Sequence, residues 1–282
     1  RLRRVSSAPR NLSMATWLAI AVLAVTITSL VVASVLSLTN GEDIAEGLAD
    51  EQLSARASVK AEEVGRYLSA MRRQTAALAS SEGATEAVNS FTSAYQELAG
   101  LEGSDVGESA DILVGFYRDE FAPALEQATG VSVGFRSLLP TTDAGVYLQR
   151  HYIADVEEGT EGLIDDADDG SAWSEVHREL HLSLSEVTRR IGADDLYLIE
   201  PDNGIIVYSA AKMPDFATSL DLGPHGGSTL ATIMREVRES PENGVAALID
   251  LASYAPDLGS PMMFVASPIL DEGQLSGILA FK

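Results

Sequence analysis

Twenty-five consecutive residues without a charge, Ala15 to Thr39, constrain this chain more than any other stretch. At about 1.5 Å per residue they make a helix of roughly 37 Å, longer than a hydrocarbon core of about 30 Å. The Thr and Ser within them can hydrogen-bond back to their own helix, so they are compatible with lipid. Trp17 sits near one end, where an indole favours the interface. A cleaved signal peptide would have a shorter apolar region, about 7–15 residues, so an uncleaved span is expected. Arg1, Arg3, Arg4 and Arg10 precede the stretch, and all 42 acidic residues follow it. The positive-inside rule therefore predicts a cytoplasmic N-terminus in the cell membrane, with residues 41–282 extracytoplasmic.

With 42 acidic residues against 15 of the 19 basic ones, the part after residue 40 carries a net charge of −27. Such a surface repels nucleic acid and anionic lipid, so no nucleic-acid partner is expected. Adaptation to a saline habitat would give the same acidity. Cysteine is absent, which excludes a disulfide framework, a thiol nucleophile and a thiolate metal site. The chain opens on Arg1 and stops at Lys282 just after a strand-like run, as expected of a fragment of a longer protein.

The pattern divides the chain into a basic segment (1–14), a membrane helix (15–39), a helical stalk or bundle (40–130) and a mixed domain (131–282). From Glu42 to about Ser80 the sequence predicts one long helix. Val64, Leu68, Met71, Thr75 and Leu78 follow a heptad-like seam that Ala57 and Ala61 extend weakly. That seam fits either packing on the helix's own domain or pairing with a second copy as a homodimeric stalk. A helix is expected over residues 85–98. Another, capped by Ser109 or Asp111, carries Ile112, Phe116, Phe121 and Leu125, with Pro123 as a kink and Gly130 as its end. Pro140-Thr141-Thr142-Asp143 reads as a helix start, and 155–169 as an acidic loop.

Ser171 to Ile191 predicts an amphipathic helix with Ser171 as N-cap and Gly192 as terminator. Two strands then flank Pro201-Asp202-Asn203-Gly204, a hairpin whose four-residue loop would set Tyr197 opposite Tyr208. A short helix (230–237) and strands at 245–251, 262–270 and 275–281 complete the order. The expected fold is α+β: a transmembrane helix and helical stalk, then a PAS-like antiparallel sheet of about five strands with flanking helices on one face.

Known catalytic signatures are missing. There is no GxxxxGK[ST] loop, no dinucleotide fingerprint and no GxSxG elbow, and no catalytic residue, cofactor or metal is assigned. His177 and His181 stand four apart in His177-Arg178-Glu179-Leu180-His181, which is not HExxH. Two such imidazoles could share a metal, or sit on a polar helix edge bonded to carboxylates. Asp165-Asp166-Ala167-Asp168-Asp169-Gly170 fails as a calcium loop, because Ala167 and Val176 fall on ligand positions. A small-molecule pocket between the sheet and the 171–191 helix would gather His151, Tyr152, Trp173, His177, His181, Tyr197, Tyr208, Lys212 and Asp215, which are the candidate ligand-binding residues. Each of them could instead be a satisfied core side chain.

Five segments carry a family resemblance. They are Leu139-Pro140; Leu148-Gln149-Arg150-His151-Tyr152-Ile153-Ala154; Asp169-Gly170-Ser171-Ala172-Trp173-Ser174-Glu175-Val176-His177; Ile206-Val207-Tyr208-Ser209; and Asp215-Phe216-Ala217-Thr218-Ser219-Leu220. In order and spacing this set resembles the extracytoplasmic Cache-like sensor region of bacterial transmembrane receptors. Those regions precede chemotaxis, histidine-kinase or adenylate/guanylate cyclase effectors. The family's Asn-Pro-rich loop is replaced by Asp155-Val156-Glu157-Glu158-Gly159, its Lys-Glu by Lys212-Met213, and the Pro after its second His by Leu182. The resemblance implies a membrane-anchored signal receptor that binds a small molecule outside and relays it to an effector beyond Lys282. The rival readings are a partner-binding ectodomain without a pocket and a membrane-tethered metal-dependent hydrolase using His177 and His181.

Overall fold

The structure, a computed structural model, describes residues 14–99, 104–156 and 160–282. The expectations for residues 1–13 and for the 157–159 part of the acidic loop lie outside the described residues. The chain separates into two compact units, Arg1–Arg66 and Tyr67–Lys282.

Helix α1 spans Met14–Ala79. In the first unit it includes Trp17–Ser37, 21 residues of mean hydropathy 2.5 with none buried, long and apolar enough to cross a membrane. The hydroxyls inside this segment do turn back on the helix. Thr26 Oγ1 donates to Val22 O at 2.7 Å, Thr28 Oγ1 to Ala24 O at 2.6 Å and Ser29 Oγ to Val25 O at 2.8 Å. Each hydroxyl thus meets its demand without water.

The second unit opens with the end of α1. Met71, Thr75, Ala76 and Ala79 are buried there, and Arg72 Nε donates to Ala246 O at 2.7 Å. Of the heptad-like seam, therefore, the part from Leu68 onward packs on its own domain. Helices α2 (Glu82–Ala99) and α3 (Ser104–Phe116) follow. Helix α3 starts at Ser104, and Ser109 is buried inside it, so neither Ser109 nor Asp111 caps it. A π-helical turn, Tyr117–Phe121, relieves the chain ahead of Pro123, which then sits in the first turn of α4 (Ala122–Thr129). Proline needs no hydrogen-bond donor there, which is why the expected single helix becomes three pieces. Gly130 closes α4 in the left-handed region.

Thr142 caps α5 (Asp143–Gln149) by accepting from Gly145 N, and α5 runs into a second π-turn, Arg150–Ala154. Ser171 caps α6 (Ala172–Ile191) by accepting from Ser174 N, and Gly192 ends it at φ 76°. Five strands follow with a helix after the second: β1 (Leu196–Ile199), β2 (Ile206–Ser209), α7 (Thr229–Glu239), β3 (Ala247–Tyr254), β4 (Ser260–Asp271) and β5 (Gln274–Phe281). They form one antiparallel sheet in the order β2-β1-β5-β4-β3.

Helices cover both faces of this sheet, not one. On the first face, Leu196, Leu198, Leu279 and Phe281 pack under α2 and α6 through Val88, Phe91 and Trp173. On the second, Tyr197, Ile199, Ile278 and Ala280 pack under α7 through Leu230, Ile233 and Met234. Successive residues of β1 and of the Ile278–Phe281 end of β5 thus alternate between two apolar cores, so neither stretch has a polar side. The free edge of β2 is covered by the segment after it, where Ile206 N donates to Thr218 O and Ala217 N to Ile206 O.

The hairpin register departs from expectation halfway along. Glu200 pairs with Ile205 and Ile199 with Ile206, but Leu198 then pairs with Tyr208 and Tyr197 with Ser209. Val207 is the extra residue of a β-bulge. One inserted residue moves every later side chain to the other face, so Tyr197 and Tyr208 point into different cores.

Candidate functional site

The site lies on the first face, between the sheet and α6. Residues four apart share a helix face, and Trp173, His177 and His181 form one inward row. The indole stacks on His177 with centroids 4.8 Å apart, and His177 stacks on His181 at 4.2 Å. Tyr152, carried by the second π-turn, meets Trp173 at 4.9 Å and His177 at 5.1 Å. Tyr208, carried by β2, lies 5.9 Å from His177 and donates or accepts a 3.0 Å bond with His181 Nδ1.

The hydrogen bonds assign the imidazoles. His181 Nε2 lies 2.9 Å from Gly162 O and His177 Nδ1 lies 2.9 Å from Asp165 O. A carbonyl only accepts, so both of these nitrogens carry hydrogen, and Tyr208 donates to His181 Nδ1. Burial, with the positive charge of Lys212 nearby, holds both imidazoles neutral, His181 down to about 4 and His177 lower still. Neither histidine is on a polar edge or bonded to a carboxylate. The backbone of the acidic loop, not its side chains, meets them.

Lys212 closes the cluster. Its backbone takes φ 56°, a region uncommon for a side-chain-bearing residue, and its side chain is 1% exposed. The ammonium lies 4.6 Å from the ring centroid of Tyr208, 5.2 Å from Phe216, 5.8 Å from Trp173 and 6.0 Å from Tyr152. It donates to Ser209 O. Desolvation lowers its pKa, which the field of Asp195 partly offsets.

Three of the nine candidates stand apart. His151 is half-buried, its ring tilted against Tyr147 with centroids 4.5 Å apart. Tyr197 and Asp215 belong to the second core, where Tyr254 Oη donates to Asp215 Oδ2 at 2.5 Å. Asp215 is fully buried, and burial raises its pKa. The structure thus brings together Tyr152, Trp173, His177, His181, Tyr208 and Lys212.

Sequence reasoning missed Phe91 and Asp195 as site residues, and it had Phe216 in view only within the Asp215–Leu220 motif. Phe91 comes from α2, 4.9 Å from Tyr208 and 5.5 Å from Trp173, and nothing local marks it. Asp195 is a buried bracket that accepts from Leu196 N, Ala210 N, Ala211 N and Ser209 Oγ, all at 2.8 or 2.9 Å. Gln149 was in view only as a motif letter. Its amide donates to Pro214 O at 3.0 Å and Phe216 O at 2.6 Å, fixing the turn that follows Lys212.

Chemically, the cluster offers aromatic faces, one cation and imidazole acceptors. Among the described residues, no group of three or more His, Asp or Glu side chains is placed to hold a metal. The five main cavities are lined by other residues. The nearest, about 410 Å³, is bordered by Gly162, Leu163, Ser185, Ala210 and Ala211 at the cluster's outer edge. Comparison with family models, curated proteins and solved structures gave no match.

Proposed function

We propose that this chain is the ligand-sensing region of a membrane-anchored bacterial signal receptor. Its apolar N-terminal helix is the anchor, its N-terminus is cytoplasmic and residues 41–282 lie outside. The PAS-like, Cache-like domain binds a small molecule at the Trp173–Tyr208 cluster. Binding shifts the balance between two arrangements of a homodimeric helical stalk, which carries the signal to an effector after Lys282.

One observation carries this reading. Four of the five segments behind the family resemblance meet at a single buried cluster: Gln149 and Tyr152, Trp173 and His177, Tyr208, and Phe216. Residues about 65 positions apart in sequence are joined there by aromatic contacts and by a carbonyl-directed glutamine, and they enclose polar atoms that a plain core would lack. The order of two strands, a helix and three strands agrees with the same reading.

A pocketless, partner-binding ectodomain is favoured by a different observation: the aromatic cluster is packed and lines none of the main cavities. A thermal-shift screen of the whole chain in detergent separates the two. The panel holds amino acids, organic acids, nucleobases, polyamines and divalent cations. A sensor gives a saturable rise in melting temperature that Trp173→Phe or Tyr208→Phe weakens at least fivefold. Silence across the panel, or a rise that neither variant alters, overturns the sensor reading.

A further inference from the structure

Lys212 is a buried amine without a contact counter-ion, its pKa lowered by desolvation to about 7. Its three N–H groups meet one acceptor, Ser209 O, and among the described residues no carboxylate forms an ion pair with it. Asp195, whose field reaches it, is already committed to four hydrogen bonds from its own hairpin. An ammonium enclosed at 1% exposure with spare donors costs stability that ring faces only partly offset.

A second group in the same cluster is also unmatched. His177 is fully buried, its Nδ1–H goes to Asp165 O, and its Nε2 has no partner. That nitrogen is a lone-pair acceptor. Trp173 and Tyr208 face both groups, at 5.8 and 4.6 Å from the Lys212 ammonium and 4.8 and 5.9 Å from the His177 ring. Spare N–H donors and a spare acceptor therefore share one aromatic enclosure.

We propose that Lys212 and His177 are the two polar ends of a site for a small carboxylate that also carries an O–H or N–H donor. The carboxylate accepts from Lys212, and the donor reaches His177 Nε2. A cationic ligand would meet the lysine charge, and a phosphate dianion would find a single lysine. The cover is the backbone from Gly162 to Ala167, held by Gly162 O on His181, Asp165 O on His177 and Ala167 N on Tyr152 Oη at 3.3 Å. A Cβ at Gly162 would lie 2.9 Å from Ala210 O, so the cover seats directly on the segment leading to Lys212. This inference rests on the sensor reading and narrows it to one ligand class.

Calorimetry of the whole chain in detergent tests it, with glycolate, lactate, malate, glycine and serine as probes, and acetate and propionate as acids without the donor. The expected result is saturable binding of at least one donor-bearing acid and at least fivefold weaker binding of its donorless counterpart. Lys212→Met, close in shape and uncharged, should weaken that acid at least tenfold, in line with a charge-assisted bond. The same variant, without ligand, should melt no lower than the wild type. If no acid of the panel binds, if Lys212→Met binds it equally well, or if the empty variant is less stable, the proposal is overturned. Binding of an uncharged or cationic compound in the broad screen, undiminished by Lys212→Met, also overturns it but leaves the sensor reading intact.

Discussion

The imidazoles of His177 and His181 stack 4.2 Å apart, and each holds a different carbonyl of one loop. His181 takes Gly162 and His177 takes Asp165. Two side chains one helical turn apart thus pin backbone three residues apart. The pair is a latch between α6 and the loop ahead of it, and its strength depends on both rings staying neutral.

That dependence gives a sign. In the unfolded chain a histidine titrates near 6.5, whereas in the folded state burial lowers His181 to about 4 and His177 further. Below pH 6.5 the unfolded chain binds more protons than the folded one, so these two histidines lose stability as pH falls from about 6.5 toward 4. Protonating either ring also sets a positive charge beside Lys212, and protonating both sets two positive rings face to face. The melting temperature should drop over that window, with amide exchange at residues 162–167 rising first. His181→Gln should flatten the drop. A melting temperature that is level or rising from pH 6.5 to 4.5 contradicts the latch.

Trp173 Nε1 donates to Val207 O at 3.0 Å, and Val207 is the residue that the β2 bulge inserts. Bulged residues fall out of the ladder, and here the side chain of α6 supplies the missing partner. Trp173→Phe keeps the aromatic body but leaves a buried carbonyl unmet. It should destabilise the chain by about 1–3 kcal/mol, read by urea unfolding. A loss of less than about 0.5 kcal/mol means the bulge does not need the indole.

Gly277 sits on β5 where α2 crosses the sheet closely. A Cβ there would lie 2.5 Å from Val88 Cγ2 and 3.2 Å from Ile199 O. Gly277→Ala should cost about 1–3 kcal/mol through overpacking. The Val88 contact is a side-chain contact, so Gly277→Ala with Val88→Ala should be less damaged than the sum of the single changes. A double-mutant cycle in urea measures that coupling, and simple additivity would show that α2 shifts freely instead.

The element order was legible because its signals are local. The Ser171 cap, the Gly192 and Gly130 terminators and the Pro201–Gly204 turn each act within a few residues, and each stands where expected. What sequence could not carry was anything set by packing at a distance. The bulge at Val207 has its carbonyl met by an indole donor 34 residues earlier, and a hairpin read without a bulge makes Tyr197 and Tyr208 neighbours. The two π-turns leave no period to detect. Helices on both faces were hidden because β1 and the Ile278–Phe281 end of β5 are apolar at every position, a pattern that shows that both faces are covered without saying by what. Of the site, aromatic and imidazole residues on α6 announced themselves by spacing, while Phe91 and Asp195 look like any core phenylalanine and any strand-capping aspartate.

The heptad-like seam of α1 divides at the unit boundary, and the division makes the dimer proposal sharper. From Leu68 onward the seam is spent on the chain's own sheet edge, with Met71 and Thr75 buried. Residues 51–67 are exposed on every side, Val64 among them at 54%, and Ala57, Ala61 and Val64 keep the alternation of four and three. Among the described residues of the seam, Ala57, Ala61 and Val64 are the exposed ones that can meet a second copy, and the small ones would let two helices approach closely. Val64→Glu and Ala61→Glu place a charge in that seam without touching a buried residue. In detergent, sedimentation should give a dimer for the wild type and a dissociation constant at least tenfold weaker for either variant. The melting temperature should not change, because the domain after Tyr67 is untouched. A wild type that sediments as a monomer removes the homodimeric stalk from the proposal. A dimer that both variants leave intact places the interface elsewhere in the chain.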